Sequence, residues 1–476
     1  MALDVTERID TEQVLAPLLA RARRLAAERG APVLVSWSER VAAEDPIDVF
    51  AQAATASDRC LWLQPDADFA LVGVGAAHVI EPTGPERFAA ADAAWRALLD
   101  GALIVGDGPG PTVIGGFAFD PERPSTLRWC GFPDARLILP RQTLTLQGGE
   151  CWRRVNVVVG DRHPSPPTPL PTLGEGSIEH DGMPSTQSAP DSPSPNVGRG
   201  GQGVRAVPRF LTAVAQAAAA VRRGDLEKVV LAREVRVEAE EPFDVEAALR
   251  RLRDAYPSCY VFAVARGERV FLGATPERLV RLDGRTVRVA SLAGSIPRGA
   301  TPEEDRELAA ALLASAKDRA EHAVVVRAIR AALDGPCVEV ETPDEPEILS
   351  VRNVHHLYTP VTARLRDGAT LMDLVARLHP TPAVGGTPRA EALRYIREHE
   401  GLDRGWYAAP VGWMDASGQG EFAVALRSAL VEGAEASLFA GCGIMGDSDP
   451  EREYAESSVK LRPMLAALGI EGAETE

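Results

Sequence analysis

Apolar and polar positions along the chain switch between two periods, and the switches mark out its elements. Residues 11–30 carry apolar side chains at helical spacing and stop at Gly30. Period-two runs follow at 32–37, 69–74 and 112–119, then at 136–146 and 152–159, and each predicts a strand. A helix is predicted over 86–99. The run TVIGGFAF (112–119) holds a glycine pair that lets another backbone or ring approach closely. Strands separated by helices, without a repeating βαβ rhythm, predict an α+β fold of large, mostly antiparallel sheets flanked by helices.

The pattern stops over 161–207. This stretch is rich in Pro, Gly and Ser and has almost no apolar periodicity, so it predicts a disordered insertion that cannot offset its own ordering entropy. The chain thus divides into a strand-rich part, 1–160, the insertion, and a second structured part, 208–470. In the last, a helix is predicted over 210–223, a strand over 228–237, a helix over 245–255, and a hairpin from 259–265 and 269–272. Thr301-Pro302-Glu303-Glu304 opens a helix with a capping Thr and Pro at the first position, predicted to run to about Leu333.

Composition narrows the function. Of 476 residues, 45% are hydrophobic and 25% charged, which is enough apolar material for a large core. A formal net charge of -17 disfavours a nucleic-acid surface and means that an anionic substrate needs local cations or a metal ion. Six cysteines without CxxC spacing, and no apolar run of membrane length, predict a reduced, cytoplasmic protein that does not enter a membrane.

Two stretches suggest chemistry. In AKDRAEHAVVV, Lys317 and Glu321 stand four apart, as do Asp318 and His322. Alone this reads as a solvated, salt-bridged face, but the apolar run 323–326 pulls the helix inward. In GCGIMGDSDPEREYAESSVK a glycine loop precedes a helix capped by Asp449 with Pro450 next, which puts Glu453 and Glu456 three apart and Lys460 one turn on. Two such carboxylates facing a third from another helix suit Mg²⁺, which keeps waters or substrate oxygens in its shell.

EKVVLAR (227–233), LGATPERLV (272–280), SLAGSIPRG (291–299), KDRAEH (317–322), HHLYTPV (355–361), HPTPAVGGTP (379–388), WYAAPVGWMD (406–415), FAVALRSA (422–429) and the glycine-loop segment occur in the order seen in one family. Together they resemble the chorismate-utilising enzymes from about residue 205 to 465. The resemblance implies the chorismate-binding fold of anthranilate and isochorismate synthases, chorismate as substrate and Mg²⁺ as cofactor. It implies Glu321, Glu453 and Glu456 as metal carboxylates, with the metal holding the ring carboxylate of chorismate. Tyr407, Arg427 and the Gly441-Cys442-Gly443 backbone match the holder of the enolpyruvyl carboxylate. Gly294 and Ser295 match groups lining the ring, Lys460 a lysine near the bound carboxylate, and His356 a histidine at the reacting edge. Cys442 itself reads as a small packing residue.

Within the family, Lys228 matches the base that activates water, and Glu277 the acid that protonates the departing C4 hydroxyl. Ala293 stands where aminodeoxychorismate synthases carry an attacking lysine. The resemblance therefore implies isochorismate formation, with salicylate synthesis as the nearest alternative. It implies a monomer that needs no glutaminase partner.

Overall fold

The computed structural model describes residues 11–54, 56, 58–123, 125–160, 203–352 and 354–470. Their strands join in one hydrogen-bonded network of 20. Leu103–Val105 lies parallel to Val33–Val41, and every other strand ladder among the described residues is antiparallel.

Strand Ala135–Gln147 is the branch point. Its later residues pair with Glu150–Val159, and its earlier ones with Thr112–Phe117. Through Phe69–Ile80 and Asp58–Gln64 one arm continues to Tyr260–Arg266, Arg269–Thr275, Ser428–Glu432, Glu435–Ile444 and Lys228–Glu238. The other runs from Thr112–Phe117 through Pro410–Asp415, Gly420–Val424 and Arg278–Asp283 to Thr286–Pro297 and Val354–Leu365. Each arm therefore begins with strands from the first structured part of the chain and continues with strands from the second.

The helices follow local rules. Val245–Ala255 starts at Asp244, whose side chain accepts from Ala247 N–H at 2.9 Å, and it buries Ala248, Leu249 and Leu252. Removing each of those leucines from water contributes roughly 1.5–3 kcal/mol. Trp129, Phe132, Phe271, Phe439 and Trp406 form a run of contacting rings in the core, which supplies both area and orientation. No described helix is long and apolar enough to cross a membrane.

The strands expected over 32–37 and 69–74 run on to Val41 and Ile80, and two helices also differ from expectation. The helix expected over 210–223 begins at Gly203, so residues 203–207 of the expected insertion belong to its first turns. The rest of that insertion, 161–202, lies outside the described residues. The single helix expected from Thr301 to Leu333 is two, Pro302–Ala314 and Ala316–Leu333. Ser315 between them adopts φ -67°, ψ 111°, and its hydroxyl caps the second helix at Asp318 N–H, 3.2 Å away. Serine competes with the helix for its own backbone and so favours a cap over a helix interior. Ser315→Ala is expected to lower unfolding stability by about 1 kcal/mol, read from urea denaturation.

Candidate active site

A cleft of about 1050 Å³ opens where the two arms of the network and the last helix meet. The fourteen residues that the resemblance assigns to the site all lie around it or, for Cys442, directly behind it. Lys228 opens strand Lys228–Glu238, Glu277 sits in the turn before Arg278–Asp283, and Glu321 is on helix Ala316–Leu333. Glu453, Glu456 and Lys460 share one side of helix Pro450–Ala467.

Lys228 is buried, and its Nζ donates to Glu321 Oε1 at 2.6 Å. The lysine does not reach the surface, as an apolar strand alone would suggest; it meets a carboxylate inside. Gly443 makes room for that pair, because a Cβ there would stand 2.7 Å from both Glu321 Oε1 and Lys228 Cε. Gly294 has a second steric role. At φ +77° it forms a bulge that brings Ser295 opposite His356, whose Nδ1 lies 2.7 Å from Ser295 Oγ. Burial, aided by Arg427 and Lys460, pushes the His356 imidazole down to about 3, so it is neutral at physiological pH.

Glu277 is 6% exposed, and its carboxyl is pushed up to about 7. Burial raises it, while Lys228, Lys460 and Arg427 pull it back. Its backbone is pinned: Thr275 Oγ donates to Val424 O at 2.6 Å, and Val424 N–H donates to Glu277 O at 2.9 Å. The neighbouring Arg278 turns away to Glu421 and Tyr260, 2.8 Å from each, and is not among the cations that act on Glu277.

Around the far end of the cleft, Tyr407 stacks on Phe439 with ring centres 5.2 Å apart, and burial pushes its phenol up to about 12. Arg427 holds φ +48°, a left-handed conformation that costs a non-glycine residue about 1–3 kcal/mol and that functional sites retain. Lys460 Nζ donates to Gly441 O at 2.9 Å and to Glu456 at 2.7 Å.

The expected glycine loop is instead the end of strand Glu435–Ile444, paired with residues 230–232. Antiparallel pairing alternates, and Gly441 O and Ala232 N–H both turn outward, to Lys460 and Glu400. Gly441 and Gly443 therefore direct their N–H groups away from the ladder, whereas Cys442 spends its own within it. The Cys442 thiol is buried, pushed well up by that burial, and donates to Glu453 O at 3.2 Å. A buried, protonated thiol of this kind is a poor nucleophile.

Three potential ligand groups lie within 4.8 Å of one another: Glu453, Glu456 and Cys442. Glu321, expected with the two glutamates, is outside this trio and bound to Lys228. A neutral thiol suits a hard cation poorly, so the carboxylates are the relevant donors. Burial and then the like charge of Glu456 raise Glu453. Burial also raises Glu456, but Lys460 and Arg427 outweigh it and hold that group low. A divalent cation would relieve both the burial and the repulsion, so this donor set fits one.

Arg404 also lines the cleft, and the sequence alone does not mark it out. Its one local signal is Glu400 four residues earlier, a spacing shared by many surface pairs.

The profile of the family described as chorismate binding enzyme matches residues 19–469. Isochorismate synthase MenF of Bacillus subtilis is 36% identical over 456 residues, covering 92% of this chain and 94% of its own. The salicylate biosynthesis isochorismate synthase of Pseudomonas aeruginosa is 41% identical, covering 94% and 92%. The structure of MenF, the menaquinone-specific isochorismate synthase of Escherichia coli, superposes with a TM-score of 0.71 at 25% identity, covering 94% of this chain and 99% of that one.

Proposed function

This chain belongs to the chorismate-binding enzyme family, and from that membership and the site's chemistry we propose that it converts chorismate to isochorismate. Similarity to isochorismate synthases over nine-tenths of the chain supports the reaction. The observation that carries the assignment of roles is the burial of an amine and a carboxyl of raised proton affinity in one cleft: Lys228 and Glu277.

Lys228 takes a proton from a water that attacks C2 of the ring. The ring double bonds shift, and the C4 hydroxyl leaves as water with a proton from Glu277. One water enters and one leaves, so the product is an isomer. Ala293 offers no nucleophile of its own, which leaves water as the attacking group. Arg427 and Tyr407 hold the enolpyruvyl carboxylate, with the outward N–H groups of Gly441 and Gly443. Ser295 and neutral His356 line the ring.

Glu453 and Glu456 are the residues that would hold Mg²⁺, and Glu321 would join them only by leaving Lys228, to which it is bound here. When bound, it supplies positive charge for the ring carboxylate. Chelation of divalent ions is expected to abolish turnover, and added Mg²⁺ to restore it, measured as isochorismate formed per minute. The chain is expected to work as a monomer without a glutaminase. All six cysteines are free, which fits the cytoplasm.

Incubation with chorismate and Mg²⁺, followed by chromatography, tests the reading. Isochorismate without pyruvate is expected. Salicylate with pyruvate would select the alternative, in which the same pocket goes on to eliminate pyruvate. No turnover, with or without ammonia, would overturn both.

A further inference from the structure

The strand that carries Lys228 is paired fully on one edge and briefly on the other. Along one side it meets Glu435–Ile444 from residue 229 to 238. On the other, among the described residues, its one strand partner is Gly386–Thr387, opposite Val229 and Lys228, and Val230 N–H reaches Gly385 O at 2.9 Å. Beyond that point the buried backbone still requires partners.

Two side chains supply them. Arg404 Nη2 donates to Val230 O at 2.8 Å, and Glu400 Oε2 accepts from Ala232 N–H at 2.8 Å. The two are joined to each other, Arg404 Nε to Glu400 Oε1 at 2.8 Å and Nη2 to Oε2 at 2.6 Å. Arg404 Nη1 donates to Val384 O at 2.8 Å, which ties in the segment that leads to Gly386. The guanidinium also lies 4.2 Å above the Phe119 ring. An ion pair thus stands where a neighbouring strand would be, with a carboxylate for the N–H and a guanidinium for the C=O.

Both side chains are almost wholly buried, 2% and 1% exposed. A buried ion pair is seldom more stabilising than apolar residues of the same volume, so stability alone does not account for it. Its placement does. Val230 and Lys228 share one face of the strand and line the same cleft, and Arg404 O accepts from Tyr407 N–H at 2.8 Å, in the turn that presents Tyr407.

Resting on the reading of Lys228 as the base, we propose that the Glu400–Arg404 pair is a positioning device that fixes the strand carrying Lys228 against the substrate. Neither residue takes part in proton transfer. The planar fork of arginine satisfies the carboxylate and two carbonyls at once, which lysine cannot do.

Arg404→Lys tests this, with kcat, KM and the melting temperature measured together. The expected result is a folded protein whose kcat falls about 10- to 100-fold while KM for chorismate stays near the wild-type value, because small misplacement of a reacting group carries such penalties. A folded variant with wild-type kcat overturns the proposal. So does a proportionate worsening of kcat and KM, the mark of general structural damage. Should Arg404→Lys not fold, Glu400→Gln, which keeps the shape and an acceptor for Ala232 N–H, is expected to show the same split with a smaller loss. If neither variant folds, the pair serves stability alone and the proposal fails. Wild-type protein that forms no isochorismate would instead overturn the functional reading beneath it.

Discussion

Lys228→Met is expected to lower kcat for isochorismate formation by about 10²–10⁴-fold, the range over which a positioned general base acts. Methionine keeps most of the buried stem and removes only the amine, so the strand and its ladder with Glu435–Ile444 should persist. KM for chorismate should change little, because Arg427 and Tyr407 stand apart from the substitution. The variant does leave Glu321 without the amine that now lies 2.6 Å away, so the melting temperature must be measured beside the rate. A variant that folds and turns over at the wild-type rate would remove Lys228 from the proton-transfer role.

Glu277→Gln is expected to cause a loss of similar size, with a distinctive dependence on pH. The carboxyl is pushed up to about 7 by burial, so it carries its proton below pH 7 and loses it above. An acid that must be protonated to help the C4 hydroxyl leave gives a kcat/KM profile that declines as pH rises through about 7. That limb should vanish in the glutamine variant, whose residual rate stays low throughout. Stability should move the other way. The folded state holds the Glu277 proton between its ordinary value of about 4.5 and about 7, where the unfolded chain has released it. Stability from this group is therefore lost as pH rises through that window, and glutamine escapes the loss. At pH 8 the variant should melt at or above the wild-type temperature while remaining nearly inactive. A wild-type kcat/KM profile that stays flat through pH 7 would remove Glu277 as the acid.

Much of this was legible before folding. Asp449 and Pro450 announce a helix at Pro450, and Asp449 accepts from Arg452 N–H at 3.0 Å in the structure. Thr301 caps at Glu304 N–H in the same way, 3.2 Å away. The break at Ser315 was not legible, because the apolar rhythm runs on through it and only the cap geometry shows that the chain restarts. The strand carrying Gly441 to Gly443 reads as a loop in the sequence for a related reason. Glycines in sequence signal freedom, and only the partner strand at 230–232 turns that freedom into close packing.

Local sequence specifies most of the elements, several of their caps and the set of residue types that the family's chemistry needs. Those depend on contacts within three or four residues or on direct correspondence of motifs. The tertiary structure alone decided that Lys228 meets Glu321, 93 positions away, and that Glu400 completes a strand 168 positions earlier. It also decided that Glu453 and Glu456 gather with Cys442 while Glu321 stands outside the group. The charge state of a carboxyl depends on how much water is excluded and which charges are brought near. Both follow from chain closure over long distances, which no local pattern records. The cleft is therefore a set of residue types in the sequence, and acquires its proposed acid, base and supports only when the strands close around it.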